Sequence, residues 1–195
     1  SSTTNPPGKF SGSPSIIMNV SYPGATAYIY SSDKNTNTVP DEATATLSKS
    51  GNISLGMKAD GIYYFHVRAK AASGLSDTAH YELKIDTSIP GRPESPVGTA
   101  LEDGTALVEW KAPSLPDFSG IASYNVYRSP VKLIKDGDIF REFTIRDAVV
   151  KKIANVTETK YLDKNVAVGA GRAYFYKLQA IDNAGHSGNP ILAAP

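Results

Sequence analysis

Strict alternation of apolar and polar residues is the feature that most constrains the fold of this 195-residue chain. Within residues 61–86 the alternation runs through two segments, separated by a short turn that contains Gly74. Successive side chains of a β-strand point to opposite faces, so the pattern predicts two half-buried strands joined as a β-hairpin. The predicted inward residues are Tyr63, Phe65, Val67 and Ala69 in the first segment and Ala79, Tyr81, Leu83 and Ile85 in the second.

The inward sets also predict the register of this hairpin. A three-residue loop with Gly74 in the left-handed region keeps both sets on one face. That register pairs His66 with His80 on the polar face, which we expect to be exposed to solvent. Shorter strands are predicted upstream, at residues 15–20, 25–31, 43–48 and 52–58.

The second half of the chain alternates in the same way. Residues 105–110, 121–128 and 174–180 are predicted strands, and shorter ones are predicted at 149–156 and 160–163. Their inward phase includes the single tryptophan and several tyrosines, which we predict to be core residues rather than ligand contacts. These predicted core residues are Trp110, Tyr124, Tyr174 and Tyr176.

A proline-rich segment separates the two halves. Residues 87–96, TSIPGRPESP, cannot continue a strand ladder because proline donates no backbone hydrogen bond. We therefore predict an all-β fold of two tandem antiparallel β-sandwich domains, over residues 13–88 and 89–195. Residues 1–12 are predicted to be linker-like, and residues 130–148 to be a long insertion, either a loop or a short helix.

Composition argues against several classes of protein. Lys and Arg number 20 and Asp and Glu 19, for a net charge of +1, whereas a nucleic-acid-binding protein normally carries a basic face. Cysteine is absent, which removes disulfides, thiolate nucleophiles and cysteine metal sites. No apolar run reaches the roughly 20 residues that span a bilayer. We therefore predict no nucleic-acid partner and no transmembrane segment.

Candidate catalytic and metal-binding residues are few. The histidines are His66, His80 and His186, and no nucleophile–base arrangement accompanies them, so we predict no catalytic residues and no enzyme. Two histidine ligands are too few for a zinc site, so we predict no metal and no cofactor. Structural calcium stays open, because several aspartates lie near predicted strand ends. They are Asp33, Asp60, Asp86, Asp117 and Asp182.

Three aromatic residues fall on the polar phase of their strands: Tyr64, Tyr127 and Phe175. Exposed aromatic rings stack on sugars, so these residues are candidate contacts for a carbohydrate or a protein partner. Isolated exposed aromatics are also ordinary surface residues. The sequence leaves both interpretations open.

The second half, from about residue 91 to 195, resembles a fibronectin type III domain. The resemblance rests on the prolines before the first strand and on LVEWKAP, SGIASYNVYRS, KYLD and YFYKLQAIDNAGHSG. The family pattern Y-x-x-x-V-x-A-x-N/D falls on Tyr174, Leu178, Ala180 and Asp182. The resemblance implies that Tyr174 is the tyrosine-corner residue, whose hydroxyl bonds to upstream backbone. The length of residues 130–148 departs from the family pattern.

The first half is similar to immunoglobulin-like modules of bacterial cell-surface and secreted proteins. This similarity is carried by DGIYYFHVRAKAASGLSDTAHYELKID, residues 60–86, and by the exit IDTSIPGRP. The endings of the two halves, YYFHVRAKAASGLS and YFYKLQAIDNAGHS, also resemble each other.

Together these resemblances imply a non-catalytic structural spacer or adhesion module of a larger protein, extracellular and either secreted or attached to the cell surface. Its partners would be neighbouring domains of the same polypeptide and a cell-surface glycan or protein. The alternative is an accessory carbohydrate-binding module of a glycoside hydrolase, in which Tyr64, Tyr127 and Phe175 would contact the sugar. Fold alone does not decide between these roles.

Overall fold

The computed structural model describes residues 1–2, 4–57, 59–115, 117–129, 132–133, 150–166 and 172–193. Every regular element in these residues is a β-strand, which confirms the predicted all-β fold. No helix in this part of the chain has the length and hydrophobicity that a membrane crossing requires. The chain separates into two compact units, Ser1–Ser88 and Ile89–Pro195, which we call the first and the second domain.

The strands of the first domain are β1 Phe10–Ser11, β2 Ser15–Asn19, β3 Ala25–Asp33, β4 Thr46–Ser48, β5 Asn52–Gly56, β6 Gly61–Ala71, β7 Gly74–Leu75 and β8 Ala79–Ile85. β2 and β5 form a small antiparallel sheet. The large sheet has the order β1-β8-β6-β3-β4, and β7 pairs with the end of β6. β1 runs parallel to β8, and the other pairs of this sheet are antiparallel.

The apolar faces of these two sheets pack together and form the core of the first domain. The period of two predicts most of this core, because inward side chains of one sheet meet those of the other. Its fully buried members include Ile16, Met18, Ile53, Phe65, Leu83 and Ile85.

The register of the β6–β8 hairpin is confirmed, since His66 pairs with His80. The turn is shorter than predicted: Ala71 pairs with Gly74, so only two residues lie between them. Gly74 has φ of 108°, a conformation that favours glycine. After β7 the regular backbone pairing with β6 is interrupted at Ser76, whose hydroxyl accepts a hydrogen bond from the Ala69 N–H over 2.9 Å.

The prediction that His66 is exposed to solvent is wrong, because its side chain is fully buried. The connection between β3 and β4, residues 34–45, contacts the outer face of the large sheet. Arg68 donates a hydrogen bond to the Pro40 carbonyl, and Lys70 forms an ion pair with Glu42 over 2.7 Å. Alternation assigns the outer face to solvent, but contacts with this loop and with neighbouring side chains cover part of it.

The described part of the N-terminal segment, residues 1–2 and 4–12, is not linker-like. Ser2 forms a β-bridge with Met18, and Phe10 begins the strand that pairs with β8. The side chain of Asn5, 1% exposed, donates to the carbonyls of Lys9 and Lys84. The segment is ordered because it supplies hydrogen bonds to backbone edges of β2 and β8 that would otherwise lack partners.

The strands of the second domain are β9 Glu94–Ala100, β10 Ala106–Lys111, β11 Ile121–Arg128, β12 Lys132–Leu133, β13 Lys151–Val156, β14 Lys160–Asp163, β15 Arg172–Ala173, β16 Tyr176–Asp182 and β17 Ile191–Leu192. One sheet has the order β14-β10-β9 and the other β13-β11-β16-β17. β12 and β15 pair with each other. Apart from Lys132 and Leu133, the predicted insertion at residues 130–148 lies outside the described residues.

Aromatic residues fill the core of the second domain, as predicted. Trp110, Tyr124 and Tyr176 are 3–5% exposed, and the rings of Trp110 and Tyr124 meet edge to face with centroids 5.4 Å apart. Tyr174 packs against this core but is only half-buried. The Arg128 guanidinium lies 5.6 Å from the centroid of the Tyr174 ring.

Replacing Trp110 by Ala should destabilise the second domain by about 3–5 kcal/mol, through lost burial and the cavity left behind. Urea unfolding followed by far-UV circular dichroism, with residue-resolved NMR to separate the domains, measures this loss. Leu115→Ala is the control, because Leu115 is 75% exposed and its truncation should cost less than about 0.5 kcal/mol. A Trp110→Ala cost as small as that of the control would contradict the assigned core.

Candidate functional sites

The first candidate site is a cluster of two histidines and an aspartate on the outer face of the large sheet of the first domain. His66 lies on β6, His80 opposite it on β8, and Asp33 at the end of β3. The Nδ1 atoms of the two histidines are 2.7 Å apart. The Nε2 atom of His66 lies 3.3 Å from Asp33 Oδ1. The structure therefore brings both predicted histidines together and adds a carboxylate.

These hydrogen bonds assign the tautomers of the cluster in its uncharged form. His66 carries its proton on Nε2 and donates to Asp33, while His80 carries its proton on Nδ1 and donates to His66. Two fully protonated rings would oppose N–H groups across 2.7 Å.

The environment of Asp33 favours its carboxylate form. Burial by itself would raise the pKa of Asp33, but hydrogen bonds from Thr38, Asn35 and His66 outweigh it and hold the pKa below the ordinary 3.8. Every imidazole nitrogen of His66 is used within the domain. This geometry suits a structural clamp between three strands, since it presents neither a nucleophile nor a set of converging metal ligands.

A second cluster, in the second domain, contains a fully buried carboxylate that the sequence analysis did not single out. Asp163 Oδ2 accepts hydrogen bonds from Arg128 Nη1 over 2.7 Å and from the Tyr176 hydroxyl over 3.0 Å, and Oδ1 accepts one from the Asn165 N–H. Burial raises the pKa of Tyr176, and the adjacent carboxylate raises it further. The burial of Asp163 could have been predicted from the motif KYLD, because Asp163 lies on the same inward face of the strand as Tyr161.

The three outward aromatics are half-buried and lie in different domains. Tyr64 belongs to the first domain, where its hydroxyl is 3.5 Å from Glu82 Oε2. Tyr127 belongs to the second domain and donates a hydrogen bond to Gln179 Oε1 over 2.9 Å. The backbone N–H of Phe175, also in the second domain, donates to the Ser129 hydroxyl. Their role as carbohydrate or partner contacts stays a prediction.

Side-chain amides cross the outer face of the four-stranded sheet around Tyr127. Asn155 on β13 donates to Asn125 on β11 over 2.9 Å, and Asn125 donates to Gln179 on β16 over 3.4 Å. Gln179 donates in turn to the Gly188 carbonyl. This ladder ties three strands together.

The aspartates near strand ends accept hydrogen bonds within their own domains. The pairs are Asp60 with Thr87, Asp86 with Ser88, Asp117 with Ser119 and Asp182 with His186. Asp33 is occupied by the histidine cluster. Structural calcium at these residues stays a prediction.

Asp33→Asn should make the free energy of unfolding of the first domain less dependent on pH in the acidic range. The pKa of Asp33 is lower in the folded chain than its ordinary value. The Asp33 carboxylate therefore stabilises the fold at pH values above the unfolded-state pKa. This stabilisation is lost as the pH falls through the folded-state pKa. Urea unfolding of the wild-type chain should therefore weaken more steeply between about pH 5 and pH 3 than that of the variant. Asp77→Asn is the control, since Asp77 is an exposed aspartate of the same domain. Identical pH profiles for wild type and Asp33→Asn would rule out the clamp.

Searches against family models and against curated proteins returned no match for this chain. Solved structures do match. The chain is similar to domains A168–A170 of titin, with a TM-score of 0.56 and 16% identity over 95% of this chain and 60% of that one. It is also similar to the FN1–FN3 domains of chicken contactin (CNTN1), with a TM-score of 0.50 and 15% identity over 96% of this chain and 63% of that one.

A two-domain fibronectin type III segment from chicken tenascin matches at 14% identity over 99% of this chain and 95% of that one, with a TM-score of 0.38. The fold assignment rests on the other two structures, of whose length this chain spans about three fifths. The similarity to bacterial immunoglobulin-like modules stays a prediction for the first domain. The chain has an all-β, fibronectin type III-like fold, in which β-sandwich domains follow one another along the polypeptide.

Proposed function

We propose that this chain is a non-catalytic spacer or adhesion segment of a larger secreted or surface-attached protein. The observation that carries the proposal is that the side chains best suited to catalysis are paired inside their own domains, where they hold strands together. These pairs are Asp33 with His66, His66 with His80, Arg128 with Asp163 and Asp182 with His186. The fibronectin type III-like fold is consistent with such a role but does not establish it.

A spacer acts through geometry, because it holds neighbouring domains at a defined separation. Each domain here has its own apolar core. The segment that connects them contains Pro90 and Pro93, whereas Pro96 lies within β9. Proline restricts its own φ and that of the preceding residue, so a proline-rich segment favours an extended and rather stiff connection.

The spacer role predicts a narrow distribution of distances between the two domains. The natural chain contains no cysteine, so spin labels attach only at cysteines introduced at Lys49 and Thr157, which are both exposed. Double electron–electron resonance on the doubly labelled chain should give one peak of limited width. The control pair, at Glu102 and Thr157 within the second domain, gives the width that a rigid body produces.

A distance distribution for Lys49 and Thr157 that is much broader than the control, or that has several peaks, would contradict the spacer role. An adhesion segment whose domains reorient freely would then be the better description. Measurable turnover of a substrate that disappears on mutation of a carboxylate or histidine would contradict the non-catalytic assignment.

The alternative, an accessory carbohydrate-binding module, is favoured by one observation in the second domain. Tyr127 is half-exposed, and its hydroxyl is fixed by Gln179, so its ring is held in one orientation, as sugar stacking requires. A glycan array should then show binding that Tyr127→Ala removes, with Tyr64→Ala and Phe175→Ala compared alongside. Specific binding that survives all three substitutions would reject these residues as the sugar contacts.

A further inference from the structure

The first domain contains an open cavity of about 470 Å³ that none of the clusters described above occupies. Small-ligand sites typically have volumes of about 300–1,000 Å³. The walls of the cavity come from residues 19–22, after β2, and from residues 76–79, before and at the start of β8. Ser1 borders it as well. Its floor contains Tyr28 and Val67.

The cavity follows from the unequal widths of the two sheets. The small sheet has two strands, whereas the large sheet has the five-strand order β1-β8-β6-β3-β4. The small sheet therefore covers only part of the apolar face of the large one. Tyr28, Val67 and Ala69 belong to the buried core and also line the cavity, so its floor is apolar.

This apolar floor is surrounded by polar side chains that form no hydrogen bonds with the described residues of the domain. Asn19, Ser21, Asp77 and Thr78 border the cavity, and within the described residues none of their side chains forms a hydrogen bond. Other aspartates of the domain behave differently. The carboxylates of Asp33, Asp41, Asp60 and Asp86 all accept intradomain hydrogen bonds.

Aromatic side chains provide the remaining surface. Tyr22 is 45% exposed and borders the cavity, whereas Tyr28 is buried in its floor. A ligand here must present an apolar face to rings and aliphatic groups, and also hydroxyl or amide groups to the polar border. A sugar ring has both, because its C–H groups stack on aromatic rings while its hydroxyls form hydrogen bonds.

The charge of the border narrows the class of sugar. Asp77 supplies a carboxylate to the described lining, and Ser1 supplies its α-ammonium group, which donates to the Asn19 carbonyl; no Lys or Arg side chain is among the described lining residues. A carboxylate accepts hydrogen bonds from hydroxyls but repels anions. With one positive and one negative group the border carries no net charge, so it offers no excess of positive charge to bind phosphorylated, sulfated or acidic sugars. We propose that this cavity binds a neutral sugar unit, a hexose or an N-acetylhexosamine, and that this binding serves the adhesion role proposed above.

The test uses the whole two-domain chain and the methyl glycosides of glucose, galactose and N-acetylglucosamine as probes. In ¹H–¹⁵N NMR titrations, at least one should shift resonances of residues 19–22 and 76–79 with a Kd of about 1 mM or lower. Glucuronic acid and N-acetylneuraminic acid should not. Tyr22→Ala should weaken binding about tenfold through lost stacking, while Tyr22→Phe should retain most of it.

Asp77→Asn should also weaken binding several-fold, because hydrogen bonds to a charged acceptor are stronger than those to a neutral one. Leu47→Ala is the control, because Leu47 is an exposed residue of the first domain that does not line the cavity, and it should leave the affinity unchanged. Thermal unfolding of each variant verifies that it is folded.

Three results would overturn the inference: no resonance shift with any neutral glycoside at about 10 mM, binding that Tyr127→Ala removes and Tyr22→Ala leaves intact, or preferential binding of the acidic sugars. Its failure is distinguishable from failure of the spacer role, since the distance measurement does not depend on a ligand. A narrow distance distribution without sugar binding rejects the cavity site alone.

Discussion

An apolar sheet face must be covered by a second layer, and the rest of this structure depends on how each domain meets that requirement. In the second domain a three-stranded and a four-stranded sheet face each other, and large aromatic side chains fill the space between them. In the first domain two strands face five. The N-terminal segment then extends the cover through Ser2, which pairs with Met18, and the part left open is the cavity beside Tyr28.

Both domains also bury polar side chains, and each of these needs hydrogen-bond partners within its own domain. His66 is buried on the outer face of a sheet and therefore needs Asp33 and His80 as partners. Asp163 enters the second core and needs Arg128 and Tyr176. Removing one member of such a group leaves the other unpaired, which costs more than the hydrogen bond itself contributes. We therefore interpret these clusters as contacts that hold strands together rather than as catalytic or ligand-binding sites.

The sequence could locate the histidine pair of the candidate site, but it could not predict which distant residues would contact the site residues. Alternation placed His66 opposite His80, as observed, because cross-strand pairing depends on local periodicity. It could not foresee that Asp33 would join the pair, since the contact is 33 residues distant along the chain. Asp163 lies on a recognisable inward phase, but its partner Arg128 is 35 residues away. The cavity border depends on residues 19–22 and 76–79 together, a juxtaposition that no local pattern contains.

By itself, the sequence determined the longer alternating strands, most of their inward faces and the aromatic core of the second domain, because a period of two sorts side chains before any tertiary contact forms. Only the tertiary structure decided which faces other segments would cover. It buried His66 beside Asp33 and His80, paired Ser2 and Phe10 with sheet edges, and left the cavity beside Tyr22 uncovered. The physical reason is that coverage depends on the relative widths of two sheets and on the paths of their connections. Those are properties of the assembled domain rather than of any segment.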